Sequence, residues 1–194
     1  MLRPRKPHAM LAGVLAMLVV GGWWIVGQAG RTAPPAQVLQ QDQPGLYSIN
    51  HFIDGDTVAV DMNGHVESVR FIGIDTPETH KPDTPVQCYG PQAAAYTKAT
   101  IGRNRVRLVS DSLSTDRDRY NRLLRYVYLP DGTLLNEQLV RQGYAFYYPY
   151  FPFSKSAAFA ADEDAAMVAH LGLWAHCHPT PTDSGGYVSN AQDS

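Results

Sequence analysis

Cysteine is scarce in this chain of 194 residues: Cys88 and Cys177 are the only two, too few for a zinc site built on thiolates. No internal repeat is visible, so the chain is not an array of tandem units. The histidines His51, His65, His80 and His170 have no spacing that suggests a catalytic triad or a metal cluster, and no role is assigned to them. Strong net charge is also missing. At −2 overall, any affinity for a polyanion has to come from a local patch.

What is present begins with a targeting segment. Arg3, Arg5 and Lys6 precede Ala9 to Gly27, a stretch with no charged residue, and residues 1–30 read as a signal anchor or signal peptide. An apolar run of about 19 residues is just long enough to cross a bilayer, and the basic flank favours leaving the rest of the chain outside the cytoplasm. The protein is therefore expected to be extracytoplasmic, either tethered to the membrane by this helix or secreted after cleavage. Residues 31–44, rich in Gln, Pro and Ala, read as a linker, and residues 180–194, with Thr, Ser, Gly and Asp, as a disordered tail. Residues 45–179 remain, about 130 residues, enough for one domain, which is expected to be monomeric.

Export would place Cys88 and Cys177 where thiols are oxidised, and a disulfide between them is the natural reading. A metal site using Cys177 with His176 and His178, or two free thiols, are the alternatives. Leu46 to Ile53, Thr57 to Met62 and Val66 to Ile74 read as strands, the last two joined by a tight Asn63-Gly64 turn. Gly90 to Ile101 reads as a helix with Pro91 in its first turn, followed by strands over Arg105 to Ser110 and Leu123 to Leu129. Leu135 and Leu139 mark a second helix stopped by Gly143. Phe159, Ala166, Met167 and Leu171 are expected to line one face of a third, stopped by Gly172. Five strands and three helices in this order suggest an α+β fold, a five-stranded oligonucleotide-binding (OB) barrel with three packed helices.

Two acidic clusters flank the predicted hairpin. Asp54-Gly55-Asp56-Thr57 joins the first two strands and Asp75-Thr76-Pro77-Glu78 ends the third, so Asp56 and Asp75 are expected to face each other across adjacent strands. Two carboxylates so placed repel unless a cation sits between them, and oxygen ligands suit a hard ion such as calcium or magnesium. Each cluster alone is also what an ordinary turn looks like. Arg70, on the same strand, offers a planar fork of donors for phosphate oxygens. Seven arginines lie between Arg103 and Arg125, a local basic stripe suited to a polyanion, although Arg103, Arg105 and Arg107 alone could be a solvated face.

Six strings in order are similar to the staphylococcal nuclease, or thermonuclease, family: Ile-Asp-Gly-Asp-Thr (53 to 57), Arg-Phe-Ile-Gly-Ile-Asp-Thr-Pro-Glu-Thr (70 to 79), Tyr-Gly-Pro-Gln-Ala (89 to 93), Tyr-Asn-Arg (120 to 122), Asn-Glu-Gln-Leu-Val-Arg-Gln-Gly-Tyr-Ala (136 to 145) and Leu-Gly-Leu-Trp (171 to 174). The resemblance implies calcium-dependent hydrolysis of DNA and RNA, with little sequence specificity and a 3′-phosphate product. It implies that Asp56, Asp75 and the carbonyl of Thr76 hold the calcium ion, that Glu78 orients or deprotonates the attacking water, and that Arg70 and Arg122 clamp the phosphate. Arg119 and Tyr120 fall where the family approaches the substrate's other phosphate. Asn121 stands where the family commonly has glycine, and Asn tolerates the positive φ such a position needs. Tyr148 or Tyr150 is expected either to touch substrate or to pack over the barrel mouth. Trp174 is expected to fill core. The alternatives are a non-catalytic OB-fold nucleic-acid-binding module, which leaves the full set of charged residues without a purpose, and a surface protein that binds calcium for stability, which leaves Arg70, Glu78 and Arg122 unexplained.

Overall fold

The computed structural model describes residues 45–80 and 82–192. The expected signal segment (1–30) and linker (31–44) lie outside the described residues. Among the described residues no helix is long and apolar enough to cross a membrane. Strands β1 (Leu46–Asp54), β2 (Thr57–Met62) and β3 (His65–Phe71) come first, then a two-residue strand β4 (Ile74–Asp75) and helix α1 (Gly90–Ile101). Strands β5 (Val106–Val109) and β6 (Leu123–Tyr128), helix α2 (Leu135–Arg141) and the short strand β7 (Phe146–Tyr147) follow. Helix α3 (Ser156–Val168), the single turn α4 (Leu173–His176) and strands β8 (Thr180–Pro181) and β9 (Tyr187–Val188) complete the order.

Five of these strands close a barrel in the order β1-β2-β3-β6-β5. The β3–β6 pairing is parallel and the rest are antiparallel, which is the expected OB arrangement. The β2–β3 turn uses Asn63 and Gly64 at φ 57° and 85°, as the sequence led one to expect, because a right-handed twisted hairpin accepts two positive φ angles there. Register shifts in β1, between Ile49 and His51 and between Phe52 and Asp54, bend that strand around the barrel. Val58, Val60, Val69, Val106 and Val127 fill the interior without solvent exposure, and Leu135, Leu139 and Phe159 close the barrel from the helical side.

The third strand departs from expectation in a way that shapes the site. It ends at Phe71; Gly73, at φ 75°, turns the chain, and Ile74–Asp75 pair with β7 instead. A Cβ on Gly73 would sit 2.5 Å from the Phe153 ring, so only glycine fits this corner. Asn136, fully buried at the start of α2, holds the corner from below: its amide donates to the carbonyls of Ile72 and Arg125, and its oxygen accepts from the Val127 amide.

A second buried polar group, Asp111 after β5, accepts bonds from the Tyr126 hydroxyl at 2.5 Å, from the backbone and hydroxyl of Ser154 at 2.7 and 2.6 Å, and from the Leu113 amide at 2.8 Å. Burial opposes its ionisation, but the bonds from Ser154 and Tyr126 outweigh it and hold the carboxyl well below its ordinary value of 3.8. Asp111→Ala is expected to cost about 2–4 kcal/mol in urea unfolding at pH 7, because it orphans all four donors. A depressed folded pKa gives stability that is fully present above the unfolded value and is lost as pH falls from there through the folded one. The wild-type advantage over Asp111→Ala should therefore shrink below pH 3.8.

Helix α3 buries Phe159, Glu163 and Ala166 rather than the fully apolar face expected; Leu171 lies past its end and is 37% exposed. Glu163 accepts from the Tyr147 amide at 2.9 Å, and burial, with a smaller push from Asp164, raises its carboxyl to about 7 despite that bond. The folded state thus holds a proton that the unfolded state releases. Stability contributed by this site is fully present below about pH 4.5 and falls by about 2–3 kcal/mol as pH rises towards 7. Glu163→Gln keeps the acceptor without the charge; it should raise the melting temperature at pH 8 and change little at pH 5.

Cys88 and Cys177 form a disulfide with their Cα atoms 5.9 Å apart, as expected, and His176 stacks beside Tyr89 instead of joining a metal site. The residues after Pro179 are a correction: over 180–192 the expected disordered tail is an ordered strap. Composition alone concealed this, because the tail is ordered by partners far away in sequence. Tyr187 packs on Phe146 and Trp174, Ser189 is buried, and the Cys88 amide donates to the Asn190 carbonyl.

Candidate active site

The acidic cluster assembles around Arg70. Asp56 closes the β1–β2 turn at 2% exposure, and Arg70 pairs across β2–β3 with Thr57, its neighbour, so the guanidinium and the carboxylate meet. Arg70 forms an ion pair with Asp56 through Nη1 and donates through Nη2 to Asp75 Oδ1 at 2.5 Å and to the Ile74 carbonyl at 3.0 Å. Asp56 also accepts from the Thr57 hydroxyl and the Thr76 amide, both at 2.8 Å. Such complete satisfaction is what a buried carboxylate requires.

Two expectations change here. Asp56 and Asp75 do not face each other across adjacent strands, because the Gly73 corner puts Asp75 on β4. The positive charge beside both is also a guanidinium: the fork of Arg70 is engaged with carboxylates. The corner is what lets Arg70 reach a residue only five positions along the chain.

Arg70 also borders a cleft of about 640 Å³ whose walls include Arg119, Tyr120, Arg122, Tyr148 and Phe151. Arg122 enters β6 from a loop in which Asn121 has φ 65°, the positive angle expected of it. Asp118 aims the side chain, accepting from Arg122 Nε at 2.7 Å and from its amide at 2.9 Å. Although burial opposes it, these bonds hold the Asp118 carboxyl below its ordinary range. Tyr120, 64% exposed, lies between two cations, with the guanidinium carbons of Arg119 and Arg122 at 4.7 and 5.3 Å from its ring centre.

The structure separates the two tyrosines left open by the sequence. Tyr148 lines the cleft, where burial and the nearby Asp75 charge raise its phenol against the opposing pull of Arg70 and Arg119. Tyr150 instead bonds Thr182 in the strap, at 2.5 Å between hydroxyls. Two exposed apolar groups on the cleft wall were not singled out from sequence, Phe151 at 65% and Leu113 at 58% exposure. A large exposed side chain between polar neighbours was the available signal. Trp174 packs edge-on to Phe146, half-buried rather than in the core proper.

Thr76 places its amide on Asp56, and its buried hydroxyl has no hydrogen-bond partner. Glu78 is held by its backbone: its amide donates to Gln87 Oε1 at 2.8 Å and its carbonyl accepts from the Gln87 amide at 2.9 Å. Asp56, Asp75, Thr76 and Glu78 are not cleft-lining residues; Arg70 is the side chain common to cluster and cleft.

A closed OB barrel in which one arginine bridges a carboxylate pair and lines a cleft together with a second arginine defines a class of phosphate-handling proteins. Residues 68–176 match the family described as Staphylococcal nuclease homologue, and the chain belongs to that family. It is 43% identical over 112 residues to a thermonuclease of Staphylococcus hyicus, covering 56% of this chain and 64% of the relative. It is 46% identical over 99 residues to a thermonuclease of Staphylococcus intermedius (51% and 57%), and 37% identical over 145 residues to the endonuclease YncB of Bacillus subtilis (74% and 64%). The chain thus spans less than two thirds of the length of these relatives.

Proposed function

We propose that this chain is a calcium-dependent nuclease that hydrolyses phosphodiester bonds of DNA and RNA with little sequence preference. The observation that carries the reading is Arg70, which touches both carboxylates of the acidic cluster while lining the same cleft as Arg122. The names of the relatives, thermonuclease and endonuclease, point the same way.

The donor set fits a hard cation. Asp56 and Asp75 offer only oxygen and already converge on one positive group. Asp56, Asp75 and the Thr76 carbonyl would hold the ion, with water completing its shell. When bound, calcium supplies a Lewis acid for the charge on the phosphate. The protein's own part is positioning. Arg122, pre-aimed by Asp118, and Arg70 present guanidinium groups to the phosphate oxygens, where charge grows in the pentacoordinate transition state. Glu78 orients or deprotonates the attacking water, while Arg119 and Tyr120 hold the neighbouring phosphate. Contacts to phosphate carry little base information, so mixed DNA and RNA are both substrates.

The disulfide supports an extracytoplasmic location. Within it we propose a monomer, tethered by the N-terminal apolar segment or released by its cleavage.

Incubation of the full chain with plasmid DNA and with RNA tests this reading. Cleavage is expected with calcium and should cease with chelator; cleavage undiminished by chelator overturns the metal role, and none under any condition overturns the nuclease. Independently of turnover, calcium should raise the melting temperature, since an ion that binds only the folded state stabilises it. The Asp56→Ala chain should show no such rise.

A further inference from the structure

The strap after Pro179 reaches two sides of the site. At one end, residues 190–192 run beside 86–88: the Cys88 amide donates to the Asn190 carbonyl at 2.8 Å, the Gln192 amide to the Val86 carbonyl at 2.8 Å, and Gln87 pairs with Ala191. The Ser189 hydroxyl adds a bond to the Cys88 carbonyl at 2.9 Å. Gln87 is the same residue that grips Glu78 through its side chain and its amide. There is little slack, because a Cβ on Gly90 would lie 2.9 Å from the carbonyls of both Pro77 and Glu78.

At the other end, the β8–β9 hairpin braces the cleft wall. The Thr182 hydroxyl bonds Tyr150, and a Cβ on Gly186 would meet Pro149 Cδ at 3.2 Å. Tyr148 and Phe151, which bracket these two residues, line the cleft. Among the described residues the strap's outward hydrogen bonds go to residues 86–88, to Tyr150 and to His178, and none goes to a barrel strand.

We propose that residues 180–192 are a positioning strap: one end fixes Glu78 through Gln87, and the other fixes the aromatic wall of the cleft through Tyr150. This rests on the nuclease reading and assigns the two contacts different kinetic effects. Misplacing Glu78 harms the chemical step, whereas loosening the wall harms substrate capture.

The test compares the full chain with a form ending at Pro179, which keeps Cys177, and with Gln87→Ala, Gln87→Glu and Thr182→Val. Calcium-supported cleavage of single-stranded DNA and the melting temperature are measured for each. Truncation should lower kcat about tenfold and raise KM about threefold. Gln87→Ala should lower kcat alone, Gln87→Glu, which keeps the acceptor oxygen, should restore most of it, and Thr182→Val should raise KM alone. If the truncated form does not fold, the three point variants decide. Wild-type cleavage with every folded variant within about twofold in both parameters overturns the strap, as do losses that simply follow the fall in melting temperature. A wild type that cuts nothing overturns the nuclease reading instead.

Discussion

Arg122→Ala is expected to lower kcat/KM on nucleic acid by roughly 10²- to 10³-fold while leaving the fold intact, the range typical of deleting one preorganised donor to a developing oxyanion. Arg122 is suited to this test because it is aimed without being structural. Its partner Asp118 lies four residues away in the same loop, keeps 17% side-chain exposure and still accepts from the Tyr120 and Arg122 amides, so removal leaves no unsatisfied buried charge behind. Arg70→Ala should lose activity too, but it strips the counterion from Asp56 at 3% side-chain exposure, and stability should fall with it. Initial rates beside urea midpoints separate the two variants. Arg122→Lys, keeping the charge without the planar fork, should fall between alanine and wild type. A near wild-type rate for Arg122→Ala would sink the clamp.

Loss of the disulfide is the second large effect. The Cys88 and Cys177 positions are 89 residues apart in sequence, and closing such a loop is worth about 4–5 kcal/mol in the chain-entropy model. Domains of this size are stable by only about 5–15 kcal/mol, so the bridge is a major share. Urea unfolding of wild type should shift by that amount on adding reductant, and Cys88→Ser/Cys177→Ser should start from the reduced value and not respond. A shift below about 1 kcal/mol would mean that the unfolded chain is already constrained or the native bridge strained.

Much of the fold was legible because it is written locally. The Asn63-Gly64 turn, Pro91 in the first turn of α1 and Asn121 at a positive φ all follow from what one or two residues allow. The strands erred mainly at their ends, apart from the one that runs into Gly73. Apolarity continues from Phe71 through Ile72 to Ile74, so nothing in the pattern marks the break; the Phe153 ring and Asn136, distant in sequence, force it. Glu163 misled for the related reason that a carboxylate breaks an apolar face on paper but is accommodated when it caps the Tyr147 amide.

By itself the sequence determined the barrel, its element order and the inventory of charged groups, since periodicity, turn chemistry and residue type act over a few positions. Only the tertiary structure decided that Arg70 bridges Asp56 and Asp75, that Tyr148 and not Tyr150 lines the cleft, and that the tail is a strap. Each of those outcomes depends on chain closure, by the Gly73 corner in one case and by the Cys88–Cys177 bridge and the packing of Tyr187 in the others. Closure brings together partners whose separation along the chain carries no local signal.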